Sequence, residues 1–338
     1  MRKVLVTGGA GFIGGNFVHY MVAKYPEYHI FNLDALTYAG DLTKHQKIEK
    51  KNNYSFVNAD ITDSSAIHSL FEKEGFDYVI HFAAESHVDR SIVEPEVFIR
   101  TNVLGTQILL NAAKQSGIKK FVHVSTDEVY GELDFDPTTF FTEETPLEPN
   151  SPYSASKAAS DLLVRSYFET YGLPVNITRC SNNYGPYHFP EKLIPLTISR
   201  VLTGQKVPVY GDGKNIRDWL HVQDHCSAID LVMHEGVLGE VYNIGGHNEK
   251  TNLEVVQTII KTLGKSEDLI QYVQDRLGHD RRYAINPSKL EKLGWIPTYS
   301  FDSGIQQTIE WYLENQDWWE NIMNRSYRHD YELHPISK

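Results

Sequence analysis

Thr7-Gly8-Gly9-Ala10-Gly11-Phe12-Ile13-Gly14 is the stretch that decides the fold of this chain. A short β-rich run, Lys3 to Thr7, precedes it, and a helical pattern from about Phe12 to Lys24 follows. The glycines at 8, 11 and 14 have separate duties in such a strand–turn–helix unit. Gly8 permits the tight turn, Gly11 lets the backbone approach a pyrophosphate, and Gly14 lets helix and strand pack closely. The helix mouth then presents unpaired N–H groups and a partial positive charge to phosphate. Asp34 stands 20 residues beyond Gly14, just after the next apolar run, His29 to Leu33. A carboxylate there can hydrogen-bond an adenosine ribose and repels a 2′-phosphate, which favours NAD over NADP. Asp60 ends the following strand pattern. It suits either the adenine amino group or a helix N-cap in Asp60-Ile61-Thr62-Asp63.

The alternation continues outward from this unit. Strands are expected at 54–58, 78–82, 121–125 and 175–180, with helices at about 64–73, 95–115 and 152–170. That order predicts an α/β fold, a doubly wound parallel sheet with helices on both faces. Its ligands should lie beyond the carboxyl ends of the strands. After about Gly185, prolines at 186, 190, 195 and 208 and the turn Gly211-Asp212-Gly213 predict irregular structure and short strands. A helix from Val222 to His234 and a strand from Val241 to Ile244 look like a return to the sheet, and a further helix is expected near 305–315. We therefore expect a dinucleotide-binding domain of residues 1–186 plus about 219–245. A smaller, discontinuous substrate domain takes about 187–218 and 246–338. The aromatic tail, with Trp318, Trp319, Tyr327 and Tyr331, carries no motif, and the tryptophan pair reads as packing.

Composition narrows the function classes. A chain of 338 residues accommodates roughly two domains. Its 41% apolar and 22% charged residues are those of a soluble globular protein. Two cysteines, Cys180 and Cys226, exclude a disulfide scaffold and a cysteine-rich zinc module. With 32 basic against 44 acidic residues the net charge is −12, which argues against a nucleic-acid partner. The first apolar run is too short for a signal-peptide core and no membrane-length stretch follows, so a cytoplasmic protein without a membrane partner is expected.

Two clusters carry candidate chemistry. Tyr153-Ser-Ala-Ser-Lys157 opens a long helix, and its i,i+4 spacing puts both side chains on one face. Lowering a tyrosine pKa by two to three units needs about 3–4 kcal/mol, which a neighbouring ammonium and a cationic nicotinamide ring can largely supply. The fifth strand ends in Ser125-Thr126-Asp127-Glu128. The Thr126 hydroxyl could share a substrate oxygen with Tyr153, and two adjacent carboxyls can divide acid and base roles if their surroundings separate their pKa values. His221 and His225 are four apart on an expected helix but lack a third ligand, so no metal site is expected. His81 and His123 lie in strands and read as satisfied core histidines.

These features together resemble the extended short-chain dehydrogenase/reductase family, in its sugar-nucleotide epimerase and 4,6-dehydratase branch. The dehydratase likeness is carried by Asp34-Ala-Leu-Thr-Tyr-Ala-Gly40, Ala83-Ala-Glu-Ser-His-Val-Asp-Arg90 and Ser125-Thr-Asp-Glu-Val-Tyr-Gly131. Asn182-Asn-Tyr-Gly-Pro186 and Arg217-Asp-Trp-Leu220 extend it, and it runs to about residue 315. The resemblance implies a Rossmann domain with bound NAD and a nucleoside-diphospho-glucose substrate, thymidine being the implied nucleoside. It implies that Tyr153 takes the 4-hydroxyl proton while C4 gives a hydride to NAD, with Lys157 lowering the tyrosine pKa and Thr126 bonding the 4-oxygen. Glu128 then removes the C5 proton, Asp127 protonates the departing 6-hydroxyl, and the hydride returns to C6. Further NAD contacts are implied at Phe12, Ile13, Thr37, Ile61, Ala83, Ala84, Thr101 and Asn183, besides Gly8, Gly11, Gly14, Asp34 and Asp60. Sugar-nucleotide contacts are implied at Ser86, Asn182, Glu191, Lys192, Arg217 and Asn252, with Arg217 on the diphosphate because its planar fork suits phosphate oxygens. A structural salt bridge to Asp218 or Asp224 is the alternative for Arg217. A homodimer through a four-helix bundle of the helices near Pro95 and Pro152 is also implied. A 4-epimerase would need no acid–base pair for C5 and C6, and a non-catalytic dinucleotide-binding regulator would need neither Tyr153 nor Lys157.

Overall fold

The computed structural model describes residues 1–275 and 278–326. β1 (Arg2–Thr7) leads through the glycine loop into α1 (Phe12–Lys24), then β2 (Tyr28–Asp34). β3 (Tyr54–Asn58), α2 (Ser64–Glu74) and β4 (Tyr78–His81) follow, then the short helices α3 (Val88–Val93) and α4 (Pro95–Phe98). A π-helical stretch, Ile99–Gly105, joins α4 to α5 (Thr106–Ser116). Next come β5 (Lys120–Thr126), α6 (Pro152–Tyr171), β6 (Val175–Cys180) and β7 (Asn182–Tyr184). The later chain holds α7 (Leu193–Leu202), β8 (Val207–Tyr210), β9 (Ile216–His221), α8 (Val222–Glu235) and β10 (Val241–Ile244). It ends with β11 (Glu249–Thr251), α9 (Asn252–Thr262), β12 (Ile270–Val273), α10 (Ser288–Glu291), α11 (Phe301–Glu314) and α12 (Gln316–Ser326).

The main sheet has the order β10-β6-β5-β4-β1-β2-β3, with every pairing parallel. Both faces are covered, so β2, β5 and β6 are buried along nearly their whole length, polar residues included. Phe17 and Met21 of α1 pack with Ile229 and Met233 of α8 on one face. Phe71 of α2, Leu109 of α5 and Val164 of α6 fill the other. β1 pairs with both β2 and β4, so the winding reverses there and opens a crevice beyond their carboxyl ends. β7 and β9 leave the main sheet and pair with each other, and β9 also takes β11.

Three elements differ from the sequence expectation. The helix expected over 95–115 contains the π stretch, a local widening often found near functional sites. α7 forms despite Pro195, because that residue sits in the first turn, where its missing N–H has no intrahelical partner anyway. α9 is fixed by a capping box between Thr251 and Glu254, a Thr-x-x-Glu signal present in the sequence. The later elements share their own core, including Tyr184, Ile198, Trp219, Ile259, Ile305, Tyr312 and Trp319. Trp319 is thus packing, as expected, whereas Tyr327 and Tyr331 lie outside the described residues. No helix among the described residues is long and apolar enough to cross a membrane.

Candidate active site

The glycine loop lies at the reversal point of the sheet. Gly8 has φ +73°, and a Cβ there would lie 2.6 Å from Ala83 N, so the turns after β1 and β4 touch through bare backbone. A Cβ on Gly14 would lie 2.3 Å from the Gly8 carbonyl oxygen, where α1 meets the turn. Gly11 differs: its Cβ would meet only that same oxygen, at 3.1 Å. α1 has no side-chain cap and no acid in its first turn, so the N–H groups of Phe12 and Ile13 are offered at an open mouth. The gap beside Gly11, the uncapped helix and the nearby Asp34 carboxylate fit a dinucleotide.

Asp34 is buried at the end of β2 and accepts hydrogen bonds from Ala10 N–H at 2.9 Å and Leu36 N–H at 2.8 Å. Burial raises its pKa, while these two donors and Lys44 oppose the rise. Thr37 turns the following loop by accepting Gly40 N–H at 3.0 Å. Asp60 is exposed and does not cap a helix: Asp63 caps α2, and Asp60 instead accepts the N–H and hydroxyl of Thr62, each at 2.8 Å. Its two-residue offset makes a local turn, which competes with capping. The Ile61 side chain is in the core, where a Cβ on Gly105 would lie 2.5 Å from its Cδ1. Ala83 N–H reaches the Thr7 hydroxyl at 3.3 Å, with half-buried Ala84 next to it.

Two residues that the sequence reading missed hold this region together. Lys44 is buried and gives its ammonium to the Gly11 carbonyl at 2.8 Å; burial lowers its pKa to about 8 against the attraction of Asp41 and Asp34. No local motif marks it. Asn102, in the π stretch beside half-buried Thr101, accepts Glu85 N–H at 2.8 Å and donates to Glu85 O at 3.0 Å and Ser156 Oγ at 2.8 Å. It pins the loop after β4 to the helix that carries Tyr153. A polar residue inside an apolar helical run was its only sequence signal.

At the catalytic edge, the Thr126 hydroxyl caps the turn 127–130 by accepting Glu128 N–H at 3.3 Å and donates to Asp127 Oδ1 at 3.3 Å. Asp127 is buried, and its Oδ2 has no hydrogen-bond partner among the described residues. Burial first, then Glu128 and Asp218, raise the Asp127 pKa well above the usual carboxylate value. Glu128 beside it is only half-buried, so the two carboxyls do occupy different surroundings.

Tyr153 and Lys157 are both buried on α6. Lys157 donates to Val124 O at 2.8 Å, and its pKa falls to about 8 through burial. Burial and then Glu128 push the Tyr153 phenol well above its usual value, and a hydrogen bond from Thr126 opposes them. Desolvation is the leading cause, and the nearby acidic side chains add to it. Cys180, paired in register with Thr126, contributes a further unfavourable interaction.

On the substrate side, Arg217 is buried, and both acids named as its alternative partners accept backbone N–H groups. Asp218 accepts Gly246 N–H at 2.8 Å and Asn248 N–H at 2.7 Å, and Asp224 accepts Thr298 N–H and Tyr299 N–H, both at 2.9 Å. Arg217 donates to Ile216 O at 2.7 Å and Asp280 O at 2.8 Å, with its guanidinium 4.2 Å from the Tyr283 ring centroid. Asn252 is the first residue of α9, next to β11, which pairs with Arg217 through Lys250. Asn182 opens β7, and the Asn183 amide is hydrogen-bonded to His225 at 2.9 Å. His221 caps α8 instead of lying on it, so the expected i,i+4 histidine face does not form. Glu191 accepts the Tyr38 hydroxyl at 3.2 Å and lies 3.7 Å from His87, while Lys192 reaches the carbonyl of exposed Ser86 at 3.2 Å. His81 is satisfied by Thr7 and Thr106, whereas His123 bonds Ser160 through Nε2 but has no hydrogen-bond partner for its buried Nδ1 among the described residues, so it is only half satisfied.

A GDP-mannose 4,6 dehydratase family model matches residues 5–308. A dTDP-glucose 4,6-dehydratase of Xanthomonas campestris is 54% identical, with 97% of this chain and 98% of the relative covered. The chain belongs to the dTDP-glucose 4,6-dehydratase family. The Bacillus anthracis dTDP-glucose 4,6-dehydratase, solved in complex with NAD, superimposes with a TM-score of 0.89 at 52% identity, covering 95% of this chain and 100% of that one. A Thermus thermophilus UDP-glucose 4-epimerase with NAD shares the fold, with a TM-score of 0.86 at 32% identity over 93% of this chain and 100% of that one. The same scaffold thus serves an epimerase, and the higher identity to dTDP-glucose 4,6-dehydratases is what sets this chain among them.

Proposed function

We propose that this chain is a NAD-dependent dTDP-glucose 4,6-dehydratase, a hydro-lyase. The observation that carries the reaction type is the buried Asp127, its pKa raised well above the usual carboxylate value, beside the more exposed Glu128, next to Tyr153. When bound, NAD would supply a hydride acceptor for C4 and the hydride for C6, and its positive charge would favour ionised Tyr153. Tyr153 then takes the proton of the 4-hydroxyl, with Thr126 as a hydrogen-bond partner of the same oxygen. Glu128 takes the C5 proton made acidic by the 4-ketone and gives it back to C5 as the hydride is added at C6. Asp127, kept neutral by burial, gives a proton to the 6-hydroxyl as it leaves. Lys157 holds the ribose side of the cofactor, Arg217 takes the diphosphate, and Asn252 is one of the residues around the sugar nucleotide.

Residues 1–186 with about 219–245 serve as the cofactor-binding part, and the remainder as the sugar-nucleotide part. The exposed apolar side chains Val93, Val97, Ile99, Leu104 and Leu162 suit a homodimer built on the helices that carry them. Two buried free thiols, Cys180 and Cys226, suit the reducing cytoplasm.

Mass analysis of the product from dTDP-glucose tests the reaction. Loss of one water is expected, whereas an unchanged mass with a new sugar would make the protein an epimerase.

A further inference from the structure

The tryptophan that the sequence offers only as packing makes a specific polar contact. Trp318 of α12 donates its indole N–H to Asp41 Oδ2 at 2.8 Å, across 277 positions of sequence. Asp41 belongs to the loop that follows Asp34. That loop satisfies three consecutive carbonyls of the glycine loop: His45 Nε2 is 2.7 Å from Gly9 O, Asp41 N–H donates to Ala10 O at 3.0 Å, and Lys44 donates to Gly11 O at 2.8 Å. Because peptide units are planar, fixing a carbonyl fixes the N–H on the far side of the same unit. Lys44 therefore sets the direction of Phe12 N–H, one of the first-turn donors at the helix mouth.

A second set of contacts converges on the same place. Tyr187 has φ +65°, a left-handed conformation that a bulky residue keeps only when its surroundings over-determine it. Its ring packs edge-on against Trp311 at 4.6 Å and Trp318 at 5.4 Å, and Lys44 Nζ lies 5.9 Å from its centroid. The neighbouring residues lie over the start of α1: Asn16 donates to Pro186 O at 2.9 Å, and His188 stacks on Phe12 at 4.1 Å. Tyr312 of α11 holds the His188 carbonyl. Burial opposes charge on Asp41, but hydrogen bonds from Thr43 and Trp318 outweigh it and hold its carboxyl below the usual value.

We propose that Trp318 is a cofactor-positioning residue, which latches the Asp41–His45 segment and the 186–188 strap over the glycine loop and so slows exchange of bound NAD. This rests on NAD being the cofactor, as proposed above. The chemistry makes such a latch useful. A hydride that leaves C4 and returns to C6 leaves the cofactor unchanged, so turnover needs no cofactor release.

The test is a chase of labelled NAD from the holoenzyme with excess unlabelled NAD. Trp318→Phe keeps the ring and removes the donor, and Asp41→Ala removes the acceptor. Each should speed release about tenfold, within the range for a hydrogen bond to a charged group. The double variant should be no faster than either single one, and Asp41→Asn, which keeps an acceptor oxygen, should restore slow release. Ile322→Val loosens α12 at a buried position away from Asp41 and should release NAD at the wild-type rate. Unchanged release in both single variants, multiplying effects in the double, no rescue by asparagine, or equal acceleration by Ile322→Val would each overturn the latch. Failure of the wild type to bind NAD at all would overturn the cofactor reading and the latch with it.

Discussion

Lys157 is anchored to the backbone, its ammonium donating to Val124 O at 2.8 Å, and not to the Tyr153 phenol one helical turn away. The lysine is therefore a fixed positive charge under the end of β5, beside Asp161 on the same helix. Its pKa is pushed down to about 8 by burial, so the charge is lost as pH rises through that value. Single-turnover NAD reduction should fall on the alkaline side from about pH 8 or below, and Lys157→Met should abolish both the limb and most of the rate. Linkage gives a second sign. A lysine pKa lower in the folded than in the unfolded state makes the charged form a burden below about 8, so Lys157→Met should raise the thermal midpoint at pH 7. A rate profile flat to pH 9 would show that the lysine charge is not used.

Asp127 carries the opposite shift. Its folded pKa is raised, so its contribution to stability is present below the unfolded value of about 3.9 and lost as pH climbs through the folded value. Asp127→Asn should therefore stabilise the protein at neutral pH, with the gain vanishing on acidification. The same variant should still reduce NAD in one turnover, yet form product about 10²–10⁴ times more slowly. Calorimetry across pH and stopped-flow absorbance check the two halves separately.

Glu128 should act at C5 alone. In Glu128→Gln, exchange of the C5 proton with heavy water should fall about 10²–10⁴-fold, while Asp127→Asn should retain more of it. If both variants failed at NAD reduction instead, the pair would be positioning the substrate for hydride transfer.

The loop glycines should separate by function. Gly14→Ala places a methyl 2.3 Å from the Gly8 carbonyl and should cost about 1–3 kcal/mol of stability through overpacking. Gly11→Ala meets only one oxygen at 3.1 Å, so it should melt close to wild type but bind NAD poorly. Melting curves and NAD titrations on both variants distinguish these outcomes.

Removing the Asp34 charge should relax cofactor choice. Asp34→Asn keeps the shape of the side chain, and the NADP-to-NAD affinity ratio should rise about tenfold, equivalent to about 1.4 kcal/mol of repulsion removed. Equal affinities in the unaltered protein would already refute the reading of Asp34 as a selector.

The sequence by itself determined the parallel sheet and the place of the chemistry, because those depend on local signals. Glycine spacing at 8, 11 and 14, the alternation of short strands with helical runs and the Tyr153/Lys157 spacing are each legible from local stretches of chain. Only the tertiary structure decided the charge states and the long-range pins. Desolvation around Tyr153, Asp127 and Lys157 depends on what is packed above them, which no spacing encodes. Lys44 on the glycine loop, Asn102 on the loop after β4 and Trp318 on Asp41 pair groups 33, 17 and 277 positions apart. Such contacts exist only after the sheet has brought distant loops to one edge. The sequence thus places the groups that can react, and packing fixes which of them hold protons and how firmly the cofactor loop is held.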